Sequence, residues 1–194
     1  MKSLGKITLV FFLIMVLNAC SQQEIPNAKS WKVDDFTFTD QSGNRLSKSD
    51  LEGKVWIADF IFTNCNTVCL PMTSNMKKLQ TMLSEEGLED VHIVSFSVDP
   101  EFDKPTVLKT YGDSFQADFK NWSFLTGYSQ DTIEDLAKES FKLLVQKPAE
   151  GDQVIHGTSF SLVDQTGTVV QQYSGVDDVP FEEIIKHIKI LQSN

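Results

Sequence analysis

A strongly apolar run, Val55-Trp56-Ile57-Ala58-Asp59-Phe60-Ile61-Phe62, leads within ten residues into a segment with apolar side chains at Met72, Met76, Leu79 and Leu83. The run reads as a buried strand, and the spacing that follows is helical. A strand that hands over to a helix so abruptly calls for helices packed on a sheet. The junction itself, Phe62-Thr63-Asn64-Cys65-Asn66-Thr67-Val68-Cys69-Leu70-Pro71, holds two of the three cysteines, the other being Cys20. Two thiols confined to one short stretch point to chemistry. At a helix N-terminus, free backbone N–H groups and the dipole favour thiolate over thiol, which makes a nucleophile or a metal ligand.

Residues four apart on a helix share a face, so Cys65 and Cys69 can aim both sulfurs at one point. Dithiol oxidoreductases of the thioredoxin class have two residues between their cysteines, whereas three stand here. The extra residue suits a metal chelate. A Cys65–Cys69 disulfide stays open, because modest adjustment brings the Cα atoms within bridging range. A purely structural bridge would gain little, since so short a loop constrains the unfolded chain weakly.

The rest of the chain alternates strand and helix. Trp31 to Asp40 reads as an edge segment or hairpin turning through Ser42-Gly43-Asn44. Val91 to Val98 is a β-branched strand, Thr106 to Phe115 a helix opened by Pro105, Trp122 to Leu125 a short strand, and Asp131 to Phe141 a helix. Phe160 to Val163 and Val169 to Tyr173 flank Asp164-Gln165-Thr166-Gly167 as a hairpin, and Phe181 to Leu191 closes the chain as a helix. This order predicts an α/β fold, a central mixed sheet with flanking helices and an inserted hairpin.

Lys2 and Lys6 precede an apolar stretch from Ile7 to Leu17 that ends in Leu17-Asn18-Ala19-Cys20. The stretch is short for a membrane span and reads as a secretory signal, residues 1–19. A cysteine stands where cleavage falls, as in a bacterial lipobox, so Cys20 is the expected lipidation site and mature N-terminus. Residues 20–30 are polar and are expected to form a flexible tether to the cell membrane, with one domain over residues 31–194 on the extracytoplasmic face. Loss of residues 1–19 removes two lysines and no acids, taking the net charge from −10 to −12. That balance argues against nucleic acid as a partner and gives no pull toward anionic lipid.

Of the three histidines, His92 falls inside a strand and His187 inside the last helix, places for packing or surface residues. His156 lies in the loop-like Gln153-Val154-Ile155-His156-Gly157-Thr158-Ser159, which such a fold can return beside the cysteines as a third ligand.

Phe62 to Pro71, the Ser97-Val98-Asp99-Pro100-Glu101-Phe102-Asp103-Lys104-Pro105 loop, and Val154-Ile155-His156 through Tyr173 together resemble the Sco (SenC) family, in order and spacing. The similarity runs from about Trp31 to near the end and is greatest to the lipid-anchored Sco proteins of Gram-positive bacteria. It implies a thioredoxin-like domain that binds one copper ion through Cys65, Cys69 and His156 and assists assembly of the binuclear copper centre of cytochrome c oxidase. The implied partner is the oxidase subunit bearing that centre, and the implied state a monomer. Proline often follows the second cysteine directly in the family; here Leu70 intervenes before Pro71, which bears on where the helix starts.

Soft thiolates select Cu(I), and two thiolates with one imidazole can also hold Cu(II) with a further weak ligand. A Cys₂His set suits zinc as well, although no general base stands in the loop beside it. Asp99 and Asp103 read as a solvated Asp-Pro turn or, by the resemblance, as accessory groups near the copper. The alternative function is a thiol–disulfide oxidoreductase that keeps the oxidase cysteines reduced, with Cys65 and Cys69 as its redox pair. The two roles are compatible, because copper binding needs the reduced pair. The three-residue spacing and His156 favour a metallochaperone over an enzyme. A thiol peroxidase has no need of the histidine, and a scaffold lipoprotein leaves the thiols unexplained.

Overall fold

The computed structural model describes residues 24–65, 67–151 and 153–193. Cys20, the signal segment and the first part of the expected tether lie outside them. Strands β1 (Trp31–Lys32), β2 (Thr37–Asp40) and β3 (Arg45–Ser47) lead through a single 3-10 turn (Lys48–Leu51) to β4 (Trp56–Ile61) and α1 (Cys69–Glu85). Then follow β5 (His92–Ser97), α2 (Pro105–Ser114), β6 (Trp122–Thr126), α3 (Gln130–Phe141), β7 (Val145–Gln146), β8 (Ile155–His156), β9 (Ser159–Val163), β10 (Thr168–Ser174) and α4 (Phe181–Gln192).

Eight strands form one mixed sheet in the order β1-β10-β9-β4-β5-β6-β2-β3. β4, β5 and β6 run parallel, as strands joined by crossover helices do, while β9 joins the other side of β4 antiparallel. All six residues of β4 are buried, which explains its continuous apolar run. Its alternate residues face opposite layers. Trp56 and Phe60 meet an aromatic cluster in which Phe60 lies 5.4 Å from Phe96 and 5.2 Å from Phe141 at the end of α3. Ile57, Asp59 and Ile61 face the other way, where the Asp59 charge acts on Cys69 of α1 and Tyr111 of α2. This is the thioredoxin-like architecture expected, with helices on both faces of a mixed sheet.

Local signals account for most boundaries. Pro105 opens α2, Ser129 caps α3 by accepting from the Thr132 N–H at 3.2 Å, and Asp131 sits in that first turn. The β9–β10 turn is held by the Asp164 carboxylate, which accepts from the Thr166 and Thr168 N–H groups, with Gly167 at φ +74°.

Two regions depart from expectation. Ile25 is buried and the Lys29 N–H donates to the Val170 carbonyl at 2.8 Å, so packing begins within the segment expected to be a free tether. The stretch around His156 is not a simple loop: β7 and β8 pair as a two-stranded antiparallel ribbon outside the main sheet, with Val145 opposite His156 and Gln146 opposite Ile155. Two-residue strands leave almost no periodic trace.

Candidate metal centre

The end of β4 delivers the chain into the cysteine turn. Cys65 lies in that turn, ahead of α1, and Cys69 is the first residue of the helix. The two sulfurs therefore approach each other through a turn and not across one helical face. The Cys69 N–H donates to Cys65 Sγ at 3.4 Å, giving that sulfur one of the helix's free N-terminal donors. Pro71 is the third helical residue, where no intrahelical N–H bond is needed, so with Leu70 directly after the second cysteine the helix still starts at Cys69. The Tyr111 hydroxyl, paired with Thr73 at 2.7 Å, donates to the Cys69 carbonyl at 3.4 Å and ties this first turn to α2.

His156 arrives from β8. Its Nδ1 hydrogen-bonds the Gly157 carbonyl at 2.9 Å, a contact that puts the ring proton on Nδ1 and leaves the Nε2 lone pair free. Nε2 stands 3.2 Å from Cys69 Sγ, and the ring edge packs against Phe62 with centroids 5.7 Å apart. Gly157 admits Leu143 closely; a Cβ there would lie 2.8 Å from Leu143 Cδ2. The Cys65, Cys69 and His156 ligand atoms all lie within 4.8 Å of one another, and among the described residues they are the group of this kind. Donors bound to one ion at about 2.0–2.3 Å stand roughly 4 Å apart, so small side-chain adjustments suffice to close the set.

Both cysteines are free thiols in the structure, and they differ electrostatically. Burial works against the Cys65 thiolate, but hydrogen bonds from Cys69 and from the Thr67 and Cys69 amides outweigh it and hold its pKa below the ordinary thiol value. Burial pushes Cys69 strongly upward, and its hydrogen bond to Cys65 adds to the rise. The thiolate-promoting effect expected of a helix N-terminus thus reaches Cys65 alone. Burial also lowers the His156 pKa, against the raising effect of its bond to Gly157, so the imidazole is neutral near pH 7 and available as a ligand.

The other sequence candidates take different places. Asp103 is fully buried and accepts from Ser97 Oγ at 2.6 Å, Thr63 Oγ1 at 2.5 Å and the Thr63 N–H at 3.2 Å. Asp99 is buried as well and accepts from Lys147 Nζ at 2.8 Å. Neither is a solvated turn residue, and neither joins the three-ligand group. His92 bonds Ser123 Oγ at 3.1 Å and His187 bonds the Tyr173 hydroxyl at 2.8 Å, both as packing residues. Sequence reading passed over Asp59, whose signal is a lone charge inside an apolar strand. It also passed over Lys147, for which no local signal exists.

A family model described as SCO1/SenC matches residues 25–192. Among solved structures, a SCO1/SenC family lipoprotein from Bacillus anthracis str. Ames is 51% identical with a TM-score of 0.84, covering 87% of this chain and 99% of that one. BsSco, described as a Sco family member of cytochrome c oxidase assembly with a disulfide switch, is 50% identical with a TM-score of 0.82 over 88% of this chain and 99% of its own. Yeast Sco1 with copper bound is 26% identical with a TM-score of 0.67, covering 83% of this chain and 90% of that chain.

Proposed function

Because this chain belongs to the SCO1/SenC family, we propose that it is a copper chaperone of cytochrome c oxidase assembly, anchored through a lipidated Cys20 on the extracytoplasmic face of the cell membrane. The observation that carries this reading is the convergence of Cys65 Sγ, Cys69 Sγ and His156 Nε2 within 4.8 Å. Copper is the cargo, held by two soft sulfurs and one neutral imidazole, a set that accepts Cu(I) with three ligands and Cu(II) with a weak fourth. Few ligands, one of them a histidine that is only partly buried, suit a metal that must later be passed on. The recipient is the oxidase subunit carrying the binuclear copper centre, met by a monomeric domain.

The test is anaerobic titration of the reduced protein with Cu(I), Cu(II) and Zn(II). About one copper should bind per chain, as a single three-ligand site requires. Intense sulfur-to-Cu(II) charge-transfer absorption should accompany the Cu(II) form. Its absence would remove thiolate ligation from the account, and a clear preference for zinc over copper would replace the cargo. Cys20→Ala is expected to release or misprocess the protein in cells; a variant retained in the membrane at unchanged size would rule out lipidation.

A second reading is favoured by the inequality of the thiols. Cys65, with its lowered pKa, is poised to attack a disulfide, while Cys69 stays protonated beside it. That arrangement suits a reductase for the recipient's cysteines, acting before or alongside copper transfer.

A further inference from the structure

The loop between β5 and α2 is bonded to both halves of the candidate centre. At one end, Asp103 accepts from the backbone and side chain of Thr63, two residues ahead of Cys65. At the other, Asp99 pairs at 2.8 Å with the ammonium of Lys147, the residue that directly follows β7. Lys147 also reaches Glu101 at 3.0 Å. The two carboxylates are unequal: the Asp99 side chain is 7% exposed and that of Glu101 is 79% exposed. An exposed pair of this kind contributes little, whereas a buried carboxylate deprived of its cation is left in a costly state. Asp99 therefore gives the contact its weight.

The ribbon of β7 and β8 has little to hold it by itself. It comprises two residue pairs outside the main sheet, and such a short ribbon is not independently stable. Further ties are the Lys147 N–H to Glu134 at 3.0 Å, Gln153 Nε2 to the Asn64 carbonyl at 3.0 Å, the buried side chains of Val145 and Val154, and the His156 ring against Cys69 and Phe62. We propose that Lys147 is a positioning residue for His156: its ion pair with buried Asp99 clamps the β7–β8 ribbon to the β5–α2 loop and so holds the imidazole opposite the two sulfurs. One loop then sets the thiol half of the centre through Asp103 and the imidazole half through Asp99. The relevance to copper rests on reading His156 as the third ligand, while the clamp itself does not.

Amide hydrogen exchange on the metal-free protein tests the clamp directly. In Lys147→Met, the amides of β7 and β8 should exchange about tenfold faster, while those of β4, β5 and α1 keep their rates. In the Cu(II)-loaded protein the same variant should show a changed nitrogen hyperfine pattern in its electron paramagnetic resonance spectrum. Lys147→Arg, which keeps the cation, should restore both. Should Lys147→Met unfold because Asp99 is stranded, the double variant Lys147→Met/Asp99→Asn removes that charge and should still show the loosened ribbon. Ribbon exchange within about twofold of the wild type in the folded variant, or loosened equally in Lys147→Arg, overturns the proposal. A nitrogen pattern that survives intact in His156→Ala would instead overturn the ligand reading, and the exchange rates would still decide the clamp.

Discussion

His156→Ala is expected to lower copper affinity by more than about a hundredfold while the Cys65–Cys69 pair still cycles between dithiol and disulfide. Loss of a partner that only orients a ligand typically costs 10–100-fold, and this change removes a ligand outright. Disulfide exchange depends on thiolate fraction, leaving group and access. His156 contributes no sulfur and approaches Cys69 at 3.2 Å, whereas the lowered pKa belongs to Cys65 and comes from Cys69 and backbone amides. Copper titration and thiol–disulfide equilibration of the same preparation check both halves. In cells under copper limitation, normal oxidase assembly with this variant at wild-type level would refute copper delivery through the site. Failed assembly with intact dithiol chemistry would support it. Cys65→Ser cannot separate the two functions, because both need that sulfur.

Asp59→Asn is expected to stabilise the fold above neutral pH and to lose that advantage in acid. Asp59 is fully buried in β4, and neither carboxylate oxygen makes a hydrogen bond of normal geometry. Burial raises its pKa from 3.8 to about 7, against a weaker lowering influence of Ser95, its register partner on β5. The folded state therefore keeps a proton that the unfolded chain gives up. Well below pH 3.8 both states are protonated and no penalty exists. As pH rises toward 7 the unfolded chain ionises first and stability falls, and above 7 the whole penalty is present. A shift from 3.8 to about 7 corresponds to about 4 kcal/mol. An amide of the same shape has no proton to lose, so denaturant unfolding at pH 8 should show Asp59→Asn more stable by up to that amount. The gain should shrink to about 1 kcal/mol near pH 4.5 and vanish only well below the unfolded pKa of 3.8. A difference between wild type and variant that does not change with pH would mean that Asp59 is not the proton-holding group.

The β4-to-α1 junction was legible because its signals are local. A continuous apolar run marks a strand buried on both faces, and Met72, Met76, Leu79 and Leu83 lie along the buried side of the helix that follows. Pro105 and the Asp164–Gly167 turn likewise act over a few residues, and their elements lie where expected. The ribbon was not legible, since two paired residues per strand show no period, and the role of Asp99 depends on a lysine 48 residues away.

From the chain alone came the strand–helix order, the paired thiols at a strand-to-helix junction and a histidine to complete them. Each of these is written in composition and short-range spacing, which the backbone turns directly into local geometry. Only the packed structure decided which thiol is the more acidic. Cys65 and Cys69 share one sequence context, yet the fold buries Cys69 completely and gives Cys65 the amide donors of the turn, and desolvation then acts in full on one sulfur while hydrogen bonds offset it on the other. The same holds for Asp99 and Asp103. As a sequence they are an acidic turn; buried against Lys147 and Thr63, they become the bracket between the two halves of the centre. Burial and long-range contacts exist only once distant segments meet, and they determine the charge and position of groups whose identity was plain from the start.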